Sequence, residues 1–242
     1  MRFDIVSIFP DSVKGLLSIG ILGQARAAGL IEIQLHDLRD YTDDPHRVVD
    51  DRPYGGGAGM VMKVEPFVRA IESIQSEVGG SSRVVFLSSQ GKLFHHQDAA
   101  RWAGGEGLIL LCGRYEGVDE RIVDFIDEEM AIGDYVLAGG EVAAAAVVEA
   151  VSRLTPGVVG KFESVSTDSF FEEGKLGAPQ YTRPPEFRGA AVPEVLLSGD
   201  HEKIEAFRKQ ASWRKTARNR PDLLGMVTPL GTKEGAEESN DG

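Results

Sequence analysis

Two glycine-flanked loops hold the residues best suited to chemistry. The first follows the apolar run Leu108 to Leu111 and reads CGRYEGVDERI, and the second, IGDYVLAGGE, ends on Gly139 and Gly140 just before a helix-forming stretch. A missing Cβ lets backbone amides reach a ligand, and the first turn of a helix presents N–H groups that lack intrahelical partners. Both loops, with Tyr and acidic residues between their glycines, are therefore expected to bind something.

Other candidates carry two readings each. Asp50 and Asp51 precede Arg52 and the segment GGGAG (Gly55 to Gly59), where short acids serve a turn as readily as they contact a substrate or Mg²⁺. The acidic run Asp119 to Glu129 reads as a solvated helix face, although Glu116 and Asp119 lie close enough to the first loop to contact a bound group. Asp168 sits in a stretch without periodicity, where an aspartate is ordinarily exposed and inert. Arg153 closes a helix, where the dipole alone favours a cation. Cys112 suits a small buried residue at a strand end, since nucleophilic use would need a histidine and an orienting partner.

Several common sites are excluded. GGGAG lacks the spacing of a dinucleotide fingerprint and follows the turn-like DDRPY instead of a strand, and neither GxxxxGK[ST] nor GxSxG occurs. His36, His46, His95, His96 and His201 with one cysteine give no zinc spacing, and His95 with His96 is expected to cap or flank a helix.

These residues must be positioned by an alternation of strands and helices. Apolar runs near Phe3 to Phe9, Ile31 to Leu35, Val84 to Leu87, Leu108 to Leu111 and Ala131 to Leu137 predict strands, separated by helical stretches, which implies an α/β layer fold. Glu65 to Val78 is expected to be a helix, with Pro66 in its first turn, Phe67, Ile71, Ile74 and Val78 on one face, and Gly79 and Gly80 stopping it. A second helix opens on Glu141 as EVAAAAVVEAVSRL and is closed by Pro156; its first-turn glutamate suits the dipole. That helix is apolar on most faces, which fits a core helix and a subunit interface equally. After Gly157 the chain turns rich in Gly, Pro, Ser and acids. Four segments result: a main domain over 1–160, a flexible linker over 161–175, a small helical domain over 176–228 and a disordered tail over 229–242.

A chain of 242 residues with 42% hydrophobic content can build a real core, and no run of about eighteen apolar residues predicts a membrane span. The start MRFDIVSIFP reads as a strand without a signal peptide, and a single cysteine fits the reducing cytosol, so a cytoplasmic protein is expected. The net charge of −12 argues against a protein that coats nucleic acid without specificity. From Lys203 to Arg220, however, seven cations face Glu205, a local +6 that leaves −18 for the rest of the chain. Such a patch fits one oriented polyanion, or a solvated helix face.

The segments CGRYEGVDERI, IGDYVLAGGE, DDRPYGGGAGM (Asp50 to Met60), DSF and YTRP together resemble the bacterial tRNA (guanine-N(1))-methyltransferase family, a branch of the SPOUT methyltransferases, over Met1 to about Leu224. The resemblance implies methyl transfer from S-adenosylmethionine to N(1) of the guanosine just 3′ of a tRNA anticodon, with Mg²⁺ as a further cofactor. It implies a trefoil-knotted α/β domain with a mostly parallel sheet, followed by a small C-terminal helical domain. Cofactor-binding residues would be Leu87, Ser88, Gln90, Gly113, Tyr115, Glu116, Ile132, Gly133, Asp134, Tyr135, Val136, Leu137, Gly139 and Gly140. Asp168 of the DSF motif would be the general base and Arg153 would bind and polarise the guanine. Arg208, Lys209, Arg214, Lys215 and Arg218 would meet tRNA phosphates, and the active site would be shared across a homodimer. Ser89, Ala58 and Gln180 stand where the family more often has proline, proline and histidine. A non-catalytic RNA-binding protein on the same fold, or a methyltransferase for another RNA position, is the competing expectation.

Overall fold

Alternating apolar residues in the predicted strands build one sheet that is covered on both faces. In the computed structural model, which describes residues 1–80, 82–160, 162–172 and 174–225, the chain runs β1 (Arg2–Ser7), α1 (Gly20–Ala27), β2 (Glu32–Asp37), β3 (Asp50–Asp51), β4 (Val61–Met62) and α2 (Val64–Val78). It continues through β5 (Ser82–Leu93), α3 (His96–Ala103), β6 (Gly107–Cys112), β7 (Glu128–Ala131) and α4 (Glu141–Leu154). The main sheet is parallel in the order β2-β1-β6-β5-β7, the arrangement expected of an α/β fold. Phe3, Ile5, Val85, Leu87, Leu108 and Leu110 point to the side packed by α1, α3 and α4. Val6, Val84, Phe86, Ile109 and Leu111 point to the other, against Phe67, Ala70, Ile71 and Ile74 of α2.

The local signals for α2 operate as the sequence predicts: Pro66 lies in the first turn, and Gly79 ends the helix at φ 78° with its N–H on Gln75 O. His95 precedes α3 and its N–H donates to the Asp98 carboxylate at 3.0 Å. The strand expected at Ala131 to Leu137 is a correction. The strand is Glu128–Ala131, and residues 132 to 137 leave the sheet. Strand β7 escapes detection because it opens with acids. Arg83 and Arg101 pair with Glu128 at 2.9 and 2.7 Å, and the Trp102 indole N–H reaches the same carboxylate at 3.1 Å. The acidic run is likewise not one helix face: a 3₁₀ segment, Glu120–Phe125, buries Ile122 ahead of β7.

Contacts divide the chain into two units, Met1–Lys161 and Phe162–Gly242. The second contains α5 (Phe162–Ser166), the hairpin β8 (Glu186–Phe187) with β9 (Ala190–Ala191), and α6 (His201–Asn219). The stretch expected as linker thus includes a short helix and a turn. The chain beyond that turn is tied to α6: Leu176 N–H donates to Thr216 Oγ1 at 3.0 Å, and Ser212 Oγ donates to Leu176 O at 2.5 Å. The tail expected at 229–242 and residues 226–228 lie outside the described residues. No described helix is long and apolar enough to cross a membrane.

Candidate active site

Because β5, β6 and β7 are parallel, the segments leaving their carboxyl ends meet on one edge of the sheet, where ligands of open α/β sheets bind. They enclose a cleft of about 250 Å³. Leu87, Ser88, Ser89 and Gln90 line it from β5, Gly113 to Gly117 from the end of β6, and Ile132, Gly133, Tyr135, Val136, Leu137, Gly139 and Gly140 from beyond β7. Of the residues the sequence assigns to a cofactor, Asp134 alone stands outside this lining. Ser89 sits in the lining, whereas Ala58 and Gln180 are exposed on the surface.

Each loop has a local cause. Strand β5 pairs Leu87 with Met130 and resumes with Lys92 opposite the same Met130, so residues 88–91 bulge out of the ladder. Gly91 permits the bulge, since a Cβ there would collide with the backbone of Glu129 and Met130. In the second loop Tyr115 adopts φ 60°, a strained setting for a non-glycine residue. It is bracketed by the Glu116 N–H on Met60 O at 3.0 Å and the Gly117 N–H on Arg114 O at 3.1 Å. Met60 adjoins β4, and a Cβ on Gly59 would strike the Glu116 side chain, so the Gly-rich turn between β3 and β4 buttresses this loop. In the third loop the Tyr135 N–H returns to Gly133 O at 2.9 Å, a tight turn that leaves Asp134 exposed.

A buried ion pair joins the loops from beneath. Glu141, only 2% exposed, accepts from Ser7 Oγ at 2.5 Å and from Arg114 Nε at 3.1 Å, and Arg114 Nη2 lies 3.0 Å from its other oxygen. The Arg114 guanidinium rests 4.7 Å above the Phe9 ring, and the Arg114 backbone bridges to Gly139. Strand β1, the loop after β6 and the start of α4 thus share one carboxylate. The sequence assigns Glu141 only a dipole role and Arg114 none. A carboxylate opening a helix of Ala and Val is a visible signal, but its partner is set by tertiary structure.

Gly140 lines the cleft and also packs against β6: its N–H donates to Gly113 O at 3.0 Å, and a Cβ would lie 2.8 Å from Cys112 Cα, so packing alone already requires glycine there. Cys112 is fully buried; burial, reinforced by the Glu141 charge, pushes its thiol well up and makes it a poor nucleophile. Asp119 does not line the cleft. Its carboxylate is engaged by Arg121 at 2.6 and 2.8 Å.

Arg153 is exposed in the last turn of α4, in the first unit. Asp168 is half-buried in the second, in a turn after α5 where its N–H donates to Val165 O at 3.0 Å. The Gly177 N–H meets Ser169 Oγ at 2.9 Å, and Phe170, at φ 70°, donates to Lys175 O at 2.8 Å, so the DSF motif is a folded turn. On α6, Arg208, Lys209, Arg214 and Arg218 are exposed and Lys215 is half-buried; Lys209 pairs with Glu205 at 2.8 Å. Among the described residues no three His, Cys, Asp or Glu side chains gather into a metal site. Asp51 instead accepts from the Arg52 N–H at 2.7 Å, which is turn chemistry.

Residues 1–226 match the family model of tRNA (Guanine-1)-methyltransferase. The chain belongs to this family. Proteins named tRNA (guanine-N(1)-)-methyltransferase from Geotalea uraniireducens and Citrifermentans bemidjiense are 53% and 51% identical to it, covering 93% and 94% of this chain and 90% and 91% of their own. One from Thermotoga petrophila is 48% identical over 93% of this chain and 90% of its own length. Membership in the tRNA (guanine-1)-methyltransferase family implies S-adenosylmethionine as methyl donor. The cleft suits a ligand of mixed character: Tyr135, Val136 and Leu137 offer exposed apolar surface, while Ser88, Gln90 and Glu116 offer polar groups.

Proposed function

We propose that this protein methylates N(1) of the guanosine immediately 3′ of the anticodon in tRNA, working as a homodimer in which the cleft of one subunit is completed by Asp168 of the partner subunit. The reading is supported by the cleft at the carboxyl ends of β5, β6 and β7, in a chain whose family match spans residues 1–226. Exposed Phe9, Leu16, Ile19, Val136 and Val142 supply apolar surface of the kind a subunit interface uses.

When bound, S-adenosylmethionine supplies an electrophilic methyl group on sulfur, which departs as a neutral thioether. The loops 87–90, 113–116 and 132–140 would hold it in the cleft. Guanine N(1) carries a proton at neutral pH and is a poor nucleophile. The Asp168 carboxylate takes that proton as the N–CH₃ bond forms and the C–S bond breaks. Arg153 stabilises negative charge developing on the guanine oxygen, an interaction strongest near the transition state. The cations of α6 hold tRNA phosphates, while the acidic remainder disfavours misoriented RNA. Mg²⁺ enters this reading through the family resemblance and has no ligand set assigned to it.

Labelled S-adenosylmethionine and an unmodified tRNA transcript, followed by nucleoside mass analysis, test the proposal. N(1)-methylguanosine at the stated position is expected, and Asp168→Asn should lower turnover by roughly a hundredfold or more while keeping the thermal shift with S-adenosylmethionine. Methylation of another nucleoside, or near-normal turnover of the variant, would overturn it.

A further inference from the structure

The chain has two tryptophans with opposite surroundings. Trp102 is buried, stacks on Phe94 at 5.3 Å between centroids and donates its indole N–H to Glu128. Trp213 is 51% exposed on α6 and, among the described residues, has neither a ring partner nor a hydrogen bond. Core packing accounts for the first and not for the second. Thr216 is the only buried residue of this helix, and about half of the Trp213 side chain remains in water.

Its neighbours along the helix are suited to one class of ligand. Lys209 lies one turn before Trp213, Arg214 follows it directly, and Ala206 and Ala217 occupy the same stripe two turns before and one turn after. The alanines add little bulk beside a ring that is half exposed; Lys209, paired with Glu205 at 2.8 Å, and Arg214 put positive charge near it. An aromatic platform beside phosphate-binding cations is how proteins hold an unpaired base whose backbone is also gripped. A purely electrostatic patch needs no such ring, and an apolar protein partner would be repelled by the desolvation of the adjacent cations.

We infer that Trp213 stacks on an unpaired nucleobase of the bound tRNA while Lys209 and Arg214 contact the neighbouring phosphates. This rests on the proposed tRNA substrate and adds a contact independent of the methylation chemistry. Stacking is tolerant of base identity, so Trp213 contributes affinity and register.

The full-length protein is titrated with an unmodified tRNA transcript while tryptophan fluorescence is followed. Wild type should be quenched on binding, and Trp213→Phe should lose most of the quench while retaining most of the affinity. Trp213→Ala should bind about tenfold more weakly, about 1.4 kcal/mol, with an unchanged slope of log affinity against log salt, because no phosphate contact is removed. The wild-type quench stands as a readout that needs no folded variant. Unaltered affinity of Trp213→Ala together with an unquenched wild type would overturn the stacking even if methylation proceeds. Wild type that neither binds nor methylates the transcript would overturn both this inference and the function it rests on. A shift of Trp213→Ala to a smaller species in light scattering would reassign the indole to a subunit interface.

Discussion

Replacing Glu141 with alanine tests whether one buried carboxylate organises the cleft. The change leaves the Ser7 hydroxyl buried without its acceptor and removes the partner of Arg114, whose side chain is 24% exposed. Breaking a fully buried pair from one side costs about 3–5 kcal/mol, and the residual exposure of Arg114 together with its contact to Phe9 places this case near the lower end, about 3 kcal/mol. In a domain of this size each kcal/mol moves Tm by about 2–4 °C, so a fall of about 6–12 °C is expected. Glu141→Gln keeps the volume and one acceptor oxygen and should lose about half as much. Circular dichroism melts of wild type, Glu141→Ala, Arg114→Ala and the double variant give the coupling directly. The double variant should be less destabilised than the sum of the singles by at least about 1 kcal/mol, and the thermal shift with S-adenosylmethionine should shrink in each, since Arg114 ties the loop after β6 to Gly139. A Glu141→Ala melt within about 2 °C of wild type, or strict additivity, would refute the reasoning.

Three further outcomes are expected. Burial alone would raise the Asp4 carboxyl, but hydrogen bonds from His36 and Arg2 outweigh it and hold the carboxyl below its usual range. The stability this contributes is present above about pH 4 and is lost as pH falls through the depressed value; Asp4→Asn should therefore be weaker than wild type at neutral pH, with the gap in urea midpoint closing in acid, and a gap independent of pH would contradict it. Gly140→Val should lower Tm and abolish the S-adenosylmethionine shift together, because its side chain meets the Cys112 backbone; a variant that keeps the wild-type Tm and loses only the shift would show that packing on Cys112 does not require the glycine. Neutralising Arg214, Lys215 and Arg218 together should weaken tRNA binding and flatten its salt dependence by roughly one unit of log–log slope per lost phosphate contact, and an unchanged salt series would mark the patch as a solvated helix face.

What the chain reveals by itself is whatever rests on neighbours in sequence. The glycines and Pro66 bound α2, the Ala and Val content with Pro156 marks out α4, and apolar runs flag β1, β2, β5 and β6. Two loops rich in glycine stand out in the sequence, and both line the cleft together with the segment that leaves β5. The rest depends on partners far apart in the chain. Strand β7 begins with Glu128 and Glu129 and is tolerated because Arg83, Arg101 and Trp102 compensate the first of them. Glu141 meets Arg114 across 27 positions and Ser7 across 134, and no periodicity encodes such a meeting. The packing of Gly140 against Cys112 of β6 is equally invisible in the sequence. The turn that carries Asp168 has no pattern of its own, and the chain beyond it is held at Leu176 by Thr216 and Ser212 of a helix some forty residues away. Backbone propensity and hydrophobic spacing act over one or two turns, which is why elements can be read from sequence. Which buried charge finds which partner is decided only when strands from distant parts of the chain lie side by side.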